Sequence, residues 1–512
     1  MTSSTTDAVD TPADLAGDRP ARTFESLNPI TGDVVGTHPV HTEDEVRAAV
    51  ERAREAAAWW SGLTYAERDT HLSAWKGVIT RRLAQLANVM HEETGKPHGD
   101  AMLEAALAID HLAWAAGHAG KVLKRRKVPS GLVMANQAAY VEYPPLGVIG
   151  VIGPWNYPVF TPMGSIAYAL AAGNAVVFKP SEYTPGVGEW LARTFQETVG
   201  RPVLQVVTGL GETGAALCRA GVDKVAFTGS TETGKRVMAA CAETLTPVVI
   251  EAGGKDALIV DQDADIEAAA DAALWGACSN AGQTCAGVER VYVHEKVYDE
   301  FLASLVAKAK AVRADATVGS QLGPITMPKQ LDIIRRHIQD AIDSGGRAVV
   351  GGPDAVGERY VQPTILVDVP EDSAAVQEET FGPTMTVAKV GTVEEAIART
   401  NATRYALGST VFSKARGMEI AGKIRSGMTA VNGVITFAAI PSLPFGGIGD
   451  SGFGRIHGPD GLKEFTYAKA ISRQRFKPLL ALTTFNRTEK ADQQLASMIT
   501  MLHGRGTTIA KD

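Results

Sequence analysis

Residues 148–179 read VIGVIGPWNYPVFTPMGSIAYALAAGNAVVFK, and their order sets the fold. The first five are β-branched around one glycine, which reads as a buried strand. A helix follows Pro158. The apolar run 166–178 is interrupted by Gly173 and Asn174, so it ends one buried helix and then makes a second strand, 175–178. It is too short to span a bilayer. The same rhythm repeats downstream. A helix is expected over 185–198, a strand over 203–207, a helix from Thr213, a strand over 224–227, a helix from Thr231 and a strand over 247–251. Short β-branched strands alternating with helices indicate an α/β protein with a parallel, doubly wound sheet. Ligands of such sheets sit beyond the carboxyl ends of the strands.

Outward from this core, residues 24–40 alternate around Pro29 and Thr31-Gly32, the pattern of a hairpin. Thr42 and Glu45 make a capping box, and Val46, Ala49, Val50, Ala53 and Ala57 follow at helical spacing. Three further amphipathic helices are expected, ending near Gly120. Residues 128–144 turn strand-like. A second βα stretch covers 257–431, with helices over 264–277 and 301–312. A Gly/Pro-rich segment, 441–458, leads to an extended piece, 466–475, and a short helix, 493–502.

The 512 residues are 45% hydrophobic and carry a net charge of -7, which excludes bulk electrostatic binding of nucleic acid. The basic cluster 121–127 reads as a solvated edge or a strand start. The cysteines Cys218, Cys241, Cys278 and Cys285 have no metal spacing, and neither do His71, His91, His98, His111 and His118, so no metal site is expected. Few cysteines in a long chain suit a reducing cytoplasm. Residues 1–22 are Ser/Thr/Asp/Ala-rich without an apolar segment and read as a disordered tail.

Chemistry is carried by motifs at the ends of strands. In 282–290, GQTCAGVER, small residues surround Cys285 just before a β-branched strand, 288–293, a setting that suits a nucleophile. Glu251 ends a buried strand before Gly253 and Gly254; it is either a general base raised by burial or a structural ion-pair partner. Asn156 follows the first strand. Spacing alone favours an N-cap over an oxyanion donor. Lys179, Ser181 and Glu182 follow the second strand, where an acid can accept from a ribose 2′-OH, or where Pro180 and Ser181 simply start a helix. Residues 209–214, GLGETG, match G-x-G-x-x-G, but not after the first strand, and Glu212 opposes an anion. A rival glycine loop, 227–234, offers Ser230 to a phosphate. Residues 378–383, EETFGP, are by composition only a loop with two acids and an aromatic.

Taken in order, Pro-Trp-Asn, Lys-Pro-Ser-Glu, Phe-Thr-Gly-Ser, Glu-x-Gly-Gly-Lys, Gly-Gln-x-Cys, Glu-Glu-x-Phe-Gly-Pro and Pro-Phe-Gly-Gly resemble the NAD(P)-dependent aldehyde dehydrogenase superfamily, over about residues 24–475. The resemblance implies two doubly wound domains and a small β element. The cofactor domain, an atypical Rossmann arrangement, would be 23–121 and 146–251. The catalytic domain would be 252–443. An oligomerisation element over 122–145 and 464–480 would pair strands in homodimers or homotetramers, and 481–512 would be a C-terminal extension. Cys285 would attack the aldehyde, Asn156 and the Cys285 N–H would hold the oxyanion, and Glu251 would activate water against the thioester. For NAD, with NADP possible, Lys179 and Glu182 would bind the adenine ribose, and Glu182 favours NAD. Ser230 would meet the pyrophosphate. Glu379 would hold the nicotinamide ribose and Phe381 would pack by the ring. Ile152, Gly153, Trp155, Ser181, Gly211, Phe227, Gly229, Gly234 and Gly253 complete the implied cofactor site, with Gly209–Gly214 a turn near the adenine.

Departures bear on substrate. Ala252 replaces a common Leu. Thr284 and Ala286 flank the nucleophile, and Gly164 and Ala439 stand where relatives often carry aromatics. They imply a roomy, apolar entrance and a bulky aliphatic or aromatic aldehyde. The alternatives are succinate semialdehyde, which needs a basic partner in the pocket, and coenzyme A acylation, which Glu251 counts against. A non-enzymatic binding protein of the same fold would be expected to have lost Cys285 or Asn156.

Overall fold

The structure, a computed structural model, describes residues 22–317, 319–478, 480 and 482–504. Of the tail expected over 1–22 only Arg22 is described, and the C-terminal extension is described only in part. The chain divides into two units, residues 1–122 with 145–465, and residues 123–144 with 466–512.

In chain order the elements begin with a hairpin, β1 (Thr23–Leu27) and β2 (Val34–Pro39), and four helices, α1 (Glu43–Gly62), α2 (Tyr65–Arg81), α3 (Leu83–Thr94) and α4 (His98–Leu123). Capping boxes at Thr42/Glu45 and Thr64/Glu67 start α1 and α2. Then come β3 (Arg126–Val128), β4 (Gln137–Glu142), β5 (Val148–Ile152), α5 (Phe160–Ala172), β6 (Ala175–Lys179), α6 (Pro185–Val199), β7 (Leu204–Val206), α7 (Gly211–Arg219), β8 (Lys224–Thr228), α8 (Thr231–Ala242) and β9 (Val248–Glu251). The second half holds β10 (Asp256–Val260), α9 (Ile266–Cys278), β11 (Val288–His294), α10 (Tyr298–Ala309), α11 (Gln330–Asp343), β12 (Arg347–Val350), β13 (Thr364–Val367), α12 (Ala374–Gln377), β14 (Thr384–Val390), α13 (Val393–Asn401), β15 (Ser409–Phe412), α14 (Gly417–Ala421), β16 (Ala430–Val431), α15 (Thr436–Ala439), β17 (Gly452–Phe453), α16 (Gly458–Glu464), β18 (Lys469–Gln474) and α17 (Glu489–His503).

Besides the β1-β2 hairpin, the first unit contains two larger sheets. One has the order β17-β9-β8-β5-β6-β7. Every residue of β5 and β6 is buried, as parallel strands covered on both faces require. The order reverses between β5 and β8, so the ends at Ile152 and Thr228 flank a topological switch point. The other sheet has the order β12-β13-β14-β11-β10-β15-β16, around a core that includes Leu258, Val260, Val291, Val293 and Val387. The second unit is a three-stranded antiparallel sheet, β18-β4-β3, followed by α17.

Three expectations change. The sheets are not wholly parallel: β12 and β17 are antiparallel edges. The strand-like stretch 128–144 is broken, because Gly131 turns the chain at φ 72 and the Gln137 N–H bonds back to Met134 O at 2.8 Å. The Gly/Pro-rich segment does more than lead to the extended piece. It returns as β17, whose Gly452 lies opposite Glu251. A Cβ at Gly452 would come within 2.1 Å of Ile250 O, and its φ is 101. Only glycine permits this approach.

Candidate active site

Cys285 follows a 3-10 turn, Ser279–Gly282, with Asn280, Ala281 and Gly282 all at positive φ. At Gly282 a Cβ would stand 2.0 Å from the backbone of Gly382. The left-handed turn and this contact seat the cysteine loop directly on the 380–383 loop. Gln283 fixes the rest. Its amide donates to Asn280 O (2.9 Å) and its Oε1 accepts from Thr326 N (2.8 Å).

Asn156 lies across from this loop. Its Nδ2 donates to Gln283 O at 3.0 Å, while Asn280 Nδ2 donates to Asn156 O at 2.9 Å. The N-cap expectation for Asn156 is thus overturned: α5 begins at Phe160, with Val159 at the cap and no side-chain cap bond. Glu104 supplies the missing acceptor, taking the Val159 N–H (2.8 Å) and the Phe160 N–H (3.1 Å). Buried Lys96 pairs with Glu104 and donates to Asn156 O at 2.8 Å. Lys96 and Glu104 carry no motif, because the groups they serve, Asn156 O and the start of α5, lie far away along the chain.

Glu251 ends β9, is 3% exposed, and has no hydrogen-bond partner for either carboxylate oxygen. Burial raises its pKa to about 8, against weaker pulls from Thr228 and Arg455. Glu379 is also raised to about 8, by burial and by Glu289, while its Oε1 accepts from Gly254 N at 3.1 Å. Burial holds the Cys285 thiol well above its ordinary range, and the carboxyls of Glu251, Glu379 and Asp256 add to this; the Ala286 N–H works the other way. This environment favours the thiol over the thiolate. Behind it, Glu289 pairs with Lys255 and accepts from Thr380 N (2.8 Å) and Phe381 N (2.9 Å). This holds Phe381 at φ 54, its ring edge-on to Trp155 at 5.6 Å. Among the described residues no three His, Cys, Asp or Glu side chains gather to hold a metal ion.

Two cavities meet this region. A cleft of about 1370 Å³, its open mouth included, lies at the switch point. Ten expected cofactor residues line it: Ile152, Gly153, Trp155, Lys179, Ser181, Glu182, Gly211, Phe227, Gly229 and Ser230. The other four stand behind it. Gly234 packs on Ile250 and Phe227, Gly253 gives room to the Glu379 carboxyl, and Phe381 reaches the cleft through Trp155. Ser230 also caps α8, accepting from Thr233 N at 3.3 Å. The cleft suits a dinucleotide. Helix α8 presents its N-terminus there, Gly211 leaves space that nothing fills within 4 Å, and Val237 and Ala240 offer an apolar slot. Sequence reading missed Arg236 and Met327, whose spacing carries no motif; Thr233, also in the lining, lies inside the 227–234 loop.

The second cavity, about 1070 Å³ with its mouth, contains Cys285. Its walls include Leu107, Tyr157, Phe160, Trp275, Ile435, Ala438, Ala439 and Phe445. Trp155 faces one cavity and Tyr157 the other, with Asn156 between them. Ala439 lines the substrate side as expected, but Gly164 does not. A Cβ there would meet the buried His457 ring at 2.5 Å and Ile456 at 2.9 Å. The space of the missing side chain is filled by His457, which immediately precedes α16, so Gly164 does not widen the entrance.

Comparison with known proteins matches residues 16–471 to the aldehyde dehydrogenase family. The chain belongs to that family. A 4,4'-diapolycopene aldehyde oxidase of Methylomonas is 36% identical over 451 residues, 87% of this chain and 84% of that one. A glutarate-semialdehyde dehydrogenase of Pseudomonas aeruginosa is 36% identical over 464 residues, 88% of this chain and 94% of that one. The NAD+ complex of an aldehyde dehydrogenase from Bacillus cereus superposes with a TM-score of 0.84 at 32% identity, covering 88% of this chain and 93% of that one. This aldehyde dehydrogenase therefore acts on an aldehyde, and enzymes of its family use NAD or NADP. No helix among its described residues is long and apolar enough to cross a membrane.

Proposed function

We propose that this aldehyde dehydrogenase oxidises a bulky apolar aldehyde, aliphatic or aromatic, to its carboxylic acid with NAD or NADP. The observation that carries the reading is the wall of the Cys285 cavity. Its charged lining residues are Lys96 and Glu104, paired with each other, and Asp100. No free cation stands among them to receive a second carboxylate. This weighs against a succinate- or glutarate-semialdehyde substrate, although one relative acts on the latter.

In this reading Cys285 Sγ attacks the aldehyde carbon. The new oxyanion accepts hydrogen bonds from Asn156 Nδ2 and the Cys285 N–H. When bound, the nicotinamide supplies a hydride acceptor and a positive charge that favours the Cys285 thiolate. The acyl group is left on sulfur as a thioester. Glu251 then takes a proton from water, the water oxygen attacks the thioester, and the acid departs. The unpartnered carboxylate of Glu251 supports this role, and so does its presence against transfer to coenzyme A.

A panel of medium-chain aliphatic, aromatic and dicarboxylic semialdehydes, read by absorbance of the reduced cofactor, tests the proposal. The apolar aldehydes should give the highest kcat/KM. A preference for succinate or glutarate semialdehyde would overturn the substrate assignment.

A further inference from the structure

Charge is divided unevenly between the two units. The smaller one, residues 123–144 with 466–512, holds twelve lysines and arginines against four aspartates and glutamates, a surplus of eight positive charges in a chain whose net charge is -7. The remainder is correspondingly acidic. In the small sheet the strand register brings some of these cations together. Lys127 lies opposite Tyr140, Tyr140 opposite Ile471, and Arg473 opposite Ala138, so Lys127 and Arg473 share one face. One end of that sheet is apolar. The connection from β3 to β4 carries Leu132, Val133, Met134 and Ala135 in succession, with Leu132 66% and Met134 39% exposed, and no residue from 128 to 141 is charged. The chain beyond β18 joins it there. Arg475 N donates to Asn136 O at 2.8 Å and Arg475 Nη2 to Ala135 O at 2.6 Å. The half-exposed Phe476 and then Lys477 follow. Lys127, Arg473 and Lys477 are exposed, and none has a hydrogen bond or ion pair among the described residues. The sheet's one acid, Glu142, lies at the far end of β4 and is paired with Arg125. A run of exposed apolar residues in a turn is unfavourable in water and marks a surface that something covers.

We propose that this end of the smaller unit docks on an anionic lipid surface, with Leu132, Met134 and Phe476 entering the acyl boundary and Lys127, Arg473 and Lys477 meeting the headgroup phosphates. An uncharged apolar turn flanked by cations matches the layers that a bilayer presents, acyl chains beneath anionic headgroups. Leucine and methionine offer no flat face for stacking on bases, which disfavours nucleic acid. Strand pairing between copies uses backbone groups of the β18 edge and does not call on these side chains. Salt screens the acidic first unit beyond about 8 Å, so the unit in contact decides the sign of the interaction. The proposal goes beyond the reaction assigned above and does not rest on it, although an apolar aldehyde partitioned into lipid would be met there.

Cosedimentation of the full chain with vesicles tests this. Vesicles of phosphatidylcholine with about a third phosphatidylglycerol should bind the protein, and phosphatidylcholine alone should not. Lys127→Gln, Arg473→Gln and Lys477→Gln together should weaken binding roughly 100-fold, about fivefold for each charge removed. Leu132→Ser with Met134→Ser should keep the salt-sensitive attraction but lose the binding that survives about 0.5 M salt, where charges are largely screened. Neither variant should change the mass by light scattering or the kcat/KM for a water-soluble aldehyde. Binding of neither vesicle, equal binding of both, or unaltered binding by the charge-neutralised variant would overturn the proposal. Dissociation of that variant into smaller species would assign the surface to contacts between copies. Tighter binding of a DNA duplex than of the anionic vesicles would assign it to nucleic acid. Either result also overturns the proposal.

Discussion

At the scale of single residues, the proposed chemistry turns on one carboxyl. Glu251 is buried without a partner, and its pKa is pushed up to about 8. A raised pKa means that the acid is mostly protonated at neutral pH. Its basic form, which can accept a proton from water, grows as pH rises through 8. Thioester hydrolysis should therefore accelerate with pH across that value. Glu251→Gln should give one burst of reduced cofactor per site, then slow turnover that lacks this pH limb. Stopped-flow absorbance checks both points, and steady turnover with an unaltered profile would remove Glu251 from the mechanism. The identity of this residue was legible in the sequence, because a polar group at the end of an apolar strand stands out. Its lack of a partner was not, since that follows from what surrounds it in space.

At the scale of elements, the α5 entry shows how a distant pair shapes a catalytic loop. Helix α5 has no cap of its own, so Glu104 of α4 takes two of its first N–H groups and Lys96 balances the charge. Lys96 also holds the Asn156 backbone carbonyl, anchoring the main chain that carries the Asn156 side chain. Lys96→Met would leave the Glu104 carboxylate buried and unpaired, a loss of about 3–5 kcal/mol. Thermal unfolding should show a lowered midpoint, with kcat reduced as Asn156 loosens. Adding Glu104→Gln should restore much of the stability. An unchanged midpoint in the single variant would show that the pair contributes nothing. Sequence periodicity located α4 and α5 but placed the cap on Asn156, three residues before Val159, because local spacing has no access to a carboxylate from another helix.

At the scale of the whole molecule, the second unit buries little by itself. Strand β18 is an edge, exposed at every position except Ile471, and α17 has no buried residue while exposing Ile499 and Met501. An open edge strand presents unpaired N–H and C=O groups that another chain can complete. The dimers or tetramers expected from the sequence would use this edge. Light scattering at micromolar concentration should give a multiple of the chain mass, and a monomer would count against strand pairing here.

The sequence by itself determined the alternation of strands and helices and the doubly wound class, and it singled out Cys285, Glu251 and Asn156 as candidates. These are local properties: β-branched runs, breaks at glycine and proline, and polar residues at strand ends. Only the tertiary structure decided that Gly164 is filled by His457, that the Gly/Pro-rich segment returns to pair with β9, and that the apolar turn at 132–135 meets Arg475 at one end of the small sheet. Each of these is a relation between atoms far apart along the chain. Packing and charge compensation are settled by proximity in space, which no run of neighbouring residues encodes.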